Sequence, residues 1–169
     1  MKQEGEFYTV RGYRMLNAEN RLLTPSMEDY MEMIYRTCIE EGYERINGLA
    51  EKLNVRPSSA TKVIQKLRQT GLVDYRKYGI IQLTEEGRAI GRFLLRRHGI
   101  IEDFLKNLGI IETLLKDTEM IEHDVSLNTL RSIYVFNRFL EENPDIRVRY
   151  ETFRKEFDRD IDLSYPQQT

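Results

Sequence analysis

Residues 46–83 read INGLAEKLNVRPSSATKVIQKLRQTGLVDYRKYGIIQL, and this stretch decides the fold. Ile46, Leu49, Ala50 and Leu53 recur at three and four residues, the spacing of one face of a short helix. Asn54-Val55-Arg56 makes a turn. Pro57-Ser58-Ser59 then opens a second helix with Ala60, Val63, Ile64 and Leu67 on its inner face, and Thr70-Gly71 stops it. Two helices joined so closely have helix-turn-helix spacing. Two β-prone runs follow, Leu72–Tyr75 and Ile80–Leu83, separated by Arg76-Lys77-Tyr78-Gly79, and a basic hairpin in that position reads as a wing.

A recognition helix places short polar and basic side chains near its N-terminal end against base edges in the major groove. Arg56, Pro57, Ser58, Ser59, Thr61, Lys62, Gln65 and Lys66 fit that description. Hydroxyls and amides can read bases, while Lys62, Lys66 and the wing's Arg76 and Lys77 can neutralise phosphates. Charge supports this: residues 52–97 carry a net +8, against −4 over 1–51 and −6 over 99–169, within a chain of net charge −2. A local basic block in a net acidic protein is an electrostatic footprint for nucleic acid. A winged helix used only for protein contacts, with a merely solvated polar face, is the bland alternative.

Outward from this stretch the chain reads as helix. Residues 1–23 form an N-terminal extension without a clear period. Thr24-Pro25 opens a helix with Met27, Tyr30, Met31, Ile34, Tyr35 and Cys38 on one side, ended by Gly42. Thr84, followed by Glu85-Glu86, caps a long helix running to Gly109. Two more helices are expected, about Ile111–Val125 and Ser126–Glu142, and then a polar, helical or flexible tail. Tyr134, Phe136, Phe139 and Leu140 make the Ser126 helix apolar over more than one core face requires, which suits a subunit interface. The expected architecture is mainly α. A winged helix-turn-helix domain over 24–95 precedes an all-helical domain over 96–142, with a tail over 143–169.

The 169 residues, 40% of them hydrophobic, support no more than two domains. No apolar run is long enough for a membrane span or a secretory signal, so a cytoplasmic protein is expected. The single cysteine, Cys38, rules out an internal disulfide and any CxxC site.

The chain has two histidines, and each can be placed among carboxylates. Glu119, Glu122 and His123 are spaced i, i+3, i+4, so on a helix all three share a face. Asp29 and Glu32 form an i, i+3 pair on the first helix, and His98 lies on the long middle helix. Four carboxylates and two imidazoles without a thiolate suit Mn²⁺ or Fe²⁺ better than copper or structural zinc, and several carboxylates could bridge two ions. On spacing alone, a metal site and a set of solvated acidic faces both fit.

Four segments, Thr-Pro-Ser-Met-Glu-Asp-Tyr (24–30), Arg-Pro-Ser-Ser-Ala-Thr-Lys (56–62), Arg-His (97–98) and Glu-Met-Ile-Glu-His (119–123), resemble in order and spacing the diphtheria toxin repressor family of metal-dependent regulators. The likeness, over about residues 24–142, is to its short manganese transport regulator branch. That resemblance implies that Asp29, Glu32, His98, Glu119, Glu122 and His123 hold a binuclear Mn²⁺ site, with Fe²⁺, Co²⁺, Cd²⁺ or Zn²⁺ as substitutes in vitro. The iron-responsive branch carries Met where this chain has Asp29 and Cys where it has Glu119, which favours manganese here.

The implied mechanism is a metal-gated homodimer that binds palindromic double-stranded operator DNA and represses metal-uptake genes, with no membrane partner and no small-molecule substrate. Metal binding shifts the population toward the DNA-competent arrangement. An iron-responsive regulator and a constitutive winged-helix DNA binder with a structural metal site are the alternatives. A metal-dependent hydrolase is the rival from another class. With both histidines assigned, neither a Ser/His/Asp set nor a phosphate-binding glycine loop remains for it.

Overall fold

The computed structural model describes residues 23–157. The N-terminal extension therefore lies outside the described residues except for Leu23, and so does the end of the tail, 158–169. The chain divides into two compact units, one ending at Arg97 and the other beginning at His98, inside a single long helix.

The first unit opens with α1 (Pro25–Glu41), where the Thr24 hydroxyl accepts from the Met27 N–H at 3.3 Å and Gly42, at φ 80°, closes the other end. A two-residue strand β1 (Glu44–Arg45), α2 (Ile46–Lys52), α3 (Pro57–Gln69), β2 (Val73–Arg76) and β3 (Ile80–Leu83) follow, and then α4 (Glu85–Asn107). The strands form an antiparallel sheet in the order β1-β3-β2, with Tyr75 opposite Ile81 and Glu44 also opposite Ile81. β1 has no signature of its own because two residues cannot show an alternation.

Met31, Ile34, Leu49, Ala60, Ile64, Leu67, Val73 and Ile81 fill the core of this unit, so α1, both helices of the helix-turn-helix and the hairpin bury one common face. Lys52 donates to Glu44 and to Thr37, each at 2.7 Å, tying α2 to β1 and α1. The Thr84 hydroxyl donates to the Gly71 carbonyl at 2.7 Å and accepts from the Gly87 N–H at 3.0 Å, so one side chain joins the stop of α3 to the start of α4. At the wing, Tyr78 and Gly79 both have positive φ, and a Cβ on Gly79 would lie 2.7 Å from Ile46 Cγ2. Only glycine meets both demands there. Gly91 does the same for helix packing, since a Cβ would fall 2.5 Å from that of Tyr35 on α1.

The second unit holds the last part of α4, then α5 (Leu114–Glu122), α6 (Leu127–Glu142) and α7 (Pro144–Phe157). α5 is shorter than the expected Ile111–Val125. Glu112 and Thr113 form a turn, the Thr113 hydroxyl bonds Asp117 instead of capping the backbone, and the helix ends before Asp124. Ser126 caps α6 as expected, accepting from the Thr129 N–H at 3.2 Å. Ile101, Leu105 and Leu130 form a small core. Beside it the buried Asn137 donates to the Ile100 carbonyl at 2.8 Å and accepts from Asn107 at 3.1 Å, fixing α6 against the end of α4. The described part of the tail is helix α7, held by Arg154 donating to the Gly109 carbonyl at 2.7 Å.

Candidate metal centre and nucleic-acid interface

In the second unit, α4 presents His98 and the end of α5 presents Glu119 and Glu122, with His123 at the helix cap. One ligand atom from each of Glu119, Glu122 and His123 lies within 4.8 Å of the others. His98 Nδ1 stands 3.2 Å from Glu122 Oε2 and 3.8 Å from Glu119 Oε1, and His123 Nε2 stands 3.9 Å from Glu122 Oε1. His123 thus joins the cluster although the regular helix stops one residue before it.

Glu122 is 1% exposed, yet its Oε2 accepts no hydrogen bond. A buried carboxylate oxygen without a hydrogen bond is costly unless a cation satisfies it. The donor set fits a divalent ion that accepts oxygen and imidazole, and the one cysteine is buried in the core of the other unit.

Asp29 and Glu32, one turn apart on α1, belong to the first unit; Glu32 is buried and Asp29 partly so. Glu32 Oε1 accepts from Arg36 Nε at 3.0 Å and from Arg36 Nη2 at 2.7 Å. Next to Asp29, Glu28 receives Arg97 Nη2 at 2.9 Å in an ion pair whose side chains are both largely buried. Spacing could place Arg36 four residues after Glu32, but nothing local joins residues 28 and 97. Glu102, one turn beyond His98, receives Lys106 at 2.9 Å.

On the polar side of the helix-turn-helix, Arg56, Pro57, Ser58, Ser59, Lys62, Gln65 and Lys66 are exposed along the start and outer face of α3, with Arg76 exposed at the end of β2. Lys77 falls in the turn that joins the wing strands. Thr61 is half-buried and its hydroxyl donates to the Pro57 carbonyl at 2.8 Å, which leaves it to meet a base as an acceptor or through its methyl group. Tyr78 projects from the wing tip at 90% exposure, a position that sequence reading passed over although its neighbour Gly79 marks the turn.

These features define a class: a winged helix-turn-helix unit followed by a helical unit that carries a cluster of carboxylates and imidazoles. Residues 22–81 match the iron dependent repressor N-terminal DNA binding domain, and residues 84–150 match the iron dependent repressor metal binding and dimerisation domain. The chain belongs to the iron dependent repressor family. It is accordingly a DNA-binding regulator, not an enzyme.

The HTH-type transcriptional regulator MntR of Lysinibacillus sphaericus is 41% identical over 129 residues, covering 76% of this chain and 93% of that protein. MntR of Bacillus subtilis is 42% identical over 123 residues, 72% of this chain and 87% of that one. Among solved structures, a manganese-dependent transcriptional repressor in complex with manganese is similar at 33% identity and a TM-score of 0.59, over 67% of this chain and 53% of that chain. The manganese regulator SloR is similar at 28% identity and a TM-score of 0.61, over 69% and 55%. This chain spans about half the length of those two solved chains. No helix among the described residues is long and apolar enough to cross a membrane.

Proposed function

We propose that this chain is a cytoplasmic, manganese-responsive repressor of metal-uptake genes that binds palindromic operator DNA as a metal-activated homodimer. The observation that carries the reading is Glu122: a buried carboxylate with an oxygen lacking a hydrogen bond, facing His98 and next to Glu119 and His123. Asp29 and Glu32 complete the proposed set of six ligands, enough for two ions. Two solved regulators similar to this chain, at 33% and 28% identity, carry manganese in their description, which supports the choice of metal.

Bound metal supplies the positive charge that lets clustered carboxylates stay ionised together. Glu119, Glu122, His98 and His123 would hold it from α4 and α5, and Asp29 and Glu32 from α1. Because ligands come from both units, the orientation of α3 depends on metal. The DNA-competent arrangement is then favoured by as much as metal prefers it over the others. On DNA, Ser58, Ser59 and Gln65 are the proposed base readers, and Arg56, Lys62, Lys66, Arg76 and Lys77 the phosphate contacts. The exposed apolar residues of α6, including Val135, Phe136 and Phe139, form the proposed homodimer surface.

The ligand set is tested by isothermal titration of Mn²⁺ into Glu122→Gln and, as a control, Glu102→Gln. Glu122→Gln should weaken Mn²⁺ binding by about 100-fold, as loss of a ligand or its close support does, while Glu102→Gln binds as the parent chain does. Equal Mn²⁺ affinity in all three would remove Glu122 from the site.

A further inference from the structure

Arg36 lies four residues after Glu32 on α1, and both its Nε and its Nη2 hydrogens converge on one oxygen of that carboxylate, at 3.0 and 2.7 Å. The Glu32 side chain is 10% exposed and that of Arg36 is 43% exposed, so the guanidinium covers Glu32 from the solvent side. Hydrogen bonds between ionised partners are the strong ones, and this pair leaves the Glu32 oxygen with two of them. A guanidinium does not lose its proton in a protein, so the charge beside Glu32 stays at every pH at which the chain is folded.

We propose that Arg36 is an internal competitor for the metal: a resident cation on Glu32 that weakens divalent binding and so raises the metal concentration at which the regulator responds. The inference rests on the reading of Glu32 as a ligand. In the absence of metal, Arg36 offsets the repulsion among the acidic residues at the start of α1, where Arg97 does the same for Glu28. When metal binds, Glu32 either gives up the oxygen that Arg36 holds or ligates through its other oxygen, with a dication then sitting near a fixed positive charge. Both effects oppose binding. An ordinary surface pair between residues one turn apart would stabilise the helix slightly and leave metal affinity alone.

The direction separates the two roles, because few substitutions beside a binding site improve it. Mn²⁺ affinity is read from the electron paramagnetic resonance signal of the free aqua ion during titration of the full chain, without DNA. Arg36→Met, which keeps much of the stem and removes the charge, should bind Mn²⁺ about three- to tenfold more tightly, tenfold being about 1.4 kcal/mol. Arg36→Lys keeps the charge and should stay close to the parent affinity. Thermal unfolding in chelator reports on folding of both variants. Unchanged or weaker Mn²⁺ binding by folded Arg36→Met would overturn the proposal, and so would equal tightening by Arg36→Lys. If the parent chain removed no Mn²⁺ signal at all, the metal site itself would fall, a result distinct from a parent that binds and a variant that matches it.

Discussion

The two units differ in how far each is finished by its own chain. In the first, residues from α1, α2, α3, β2, β3 and α4 meet in one continuous core, and the largely buried carboxylates of Glu28 and Glu44 are paired within the unit, with Arg97 and with Lys52. In the second, Ile101, Leu105 and Leu130 are the buried core, while Leu115, Met120, Leu127, Val135 and Phe139 remain exposed and Glu122 is buried with an oxygen that takes no hydrogen bond. A second copy would cover the apolar residues of this unit, and a divalent cation would satisfy its carboxylate cluster. The division matches the two family domains, the first for DNA binding and the second for metal binding and dimerisation.

The largest effect expected from breaking this contrast is at the buried Glu28–Arg97 pair. Arg97→Met removes the guanidinium from the largely buried Glu28 and should lower stability in chelator by about 3–5 kcal/mol, whereas the double variant Glu28→Met/Arg97→Met should recover most of it. Urea unfolding of both variants checks this, and equal loss in both would show that packing, not charge, holds that corner. Ile64→Ala, in the middle of the first core, should cost about 2–5 kcal/mol in the same assay. Val135→Asp, on the exposed face of α6, should leave chelator stability within about 0.5 kcal/mol. The same variant should weaken self-association at least about tenfold, or 1.4 kcal/mol, in sedimentation equilibrium. Loss of fold instead of loss of dimer would erase the contrast between the units.

The smallest effect is set by pH. Burial works to raise the Glu44 carboxyl, but hydrogen bonds from Lys52, Thr37 and the Arg45 N–H outweigh it and hold the group below its ordinary value of 4.5. A lowered folded value makes the contribution complete above 4.5 and removes it as pH falls through the depressed value. The gap in melting temperature between the parent chain and Glu44→Gln should therefore be constant at neutral pH and close in acid. A gap that persists at the lowest pH at which both fold would contradict this.

Much of this division is legible in the residues. Thr24-Pro25, Thr70-Gly71, Thr84 and Ser126 are caps and stops whose chemistry is local, and the helix boundaries they set are the observed ones. The three- and four-residue spacing of Leu49, Ala60, Ile64 and Leu67 marks a core face wherever it occurs. The convergence of Glu119, Glu122 and His123 follows from their spacing, and His98 joins them through the fold. What escaped was set by distant partners or by very short elements. β1 is two residues long, the start of α5 is decided by a side chain that bonds forward to Asp117, and the partner of Arg97 lies 69 residues away. α7 buries none of its residues, so its sequence carries little beyond polarity to announce a helix.

The most direct test of metal gating is fluorescence anisotropy of labelled DNA from upstream of a manganese-uptake gene in the source genome. The full chain is titrated anaerobically in chelator, in Mn²⁺ and in Fe²⁺, with scrambled DNA as the control. Metal gating by manganese predicts tight, sequence-dependent binding in Mn²⁺, weaker binding in Fe²⁺ and none above the scrambled control in chelator. Equal binding in chelator and in Mn²⁺ would contradict it and leave a constitutive DNA binder whose metal site is structural.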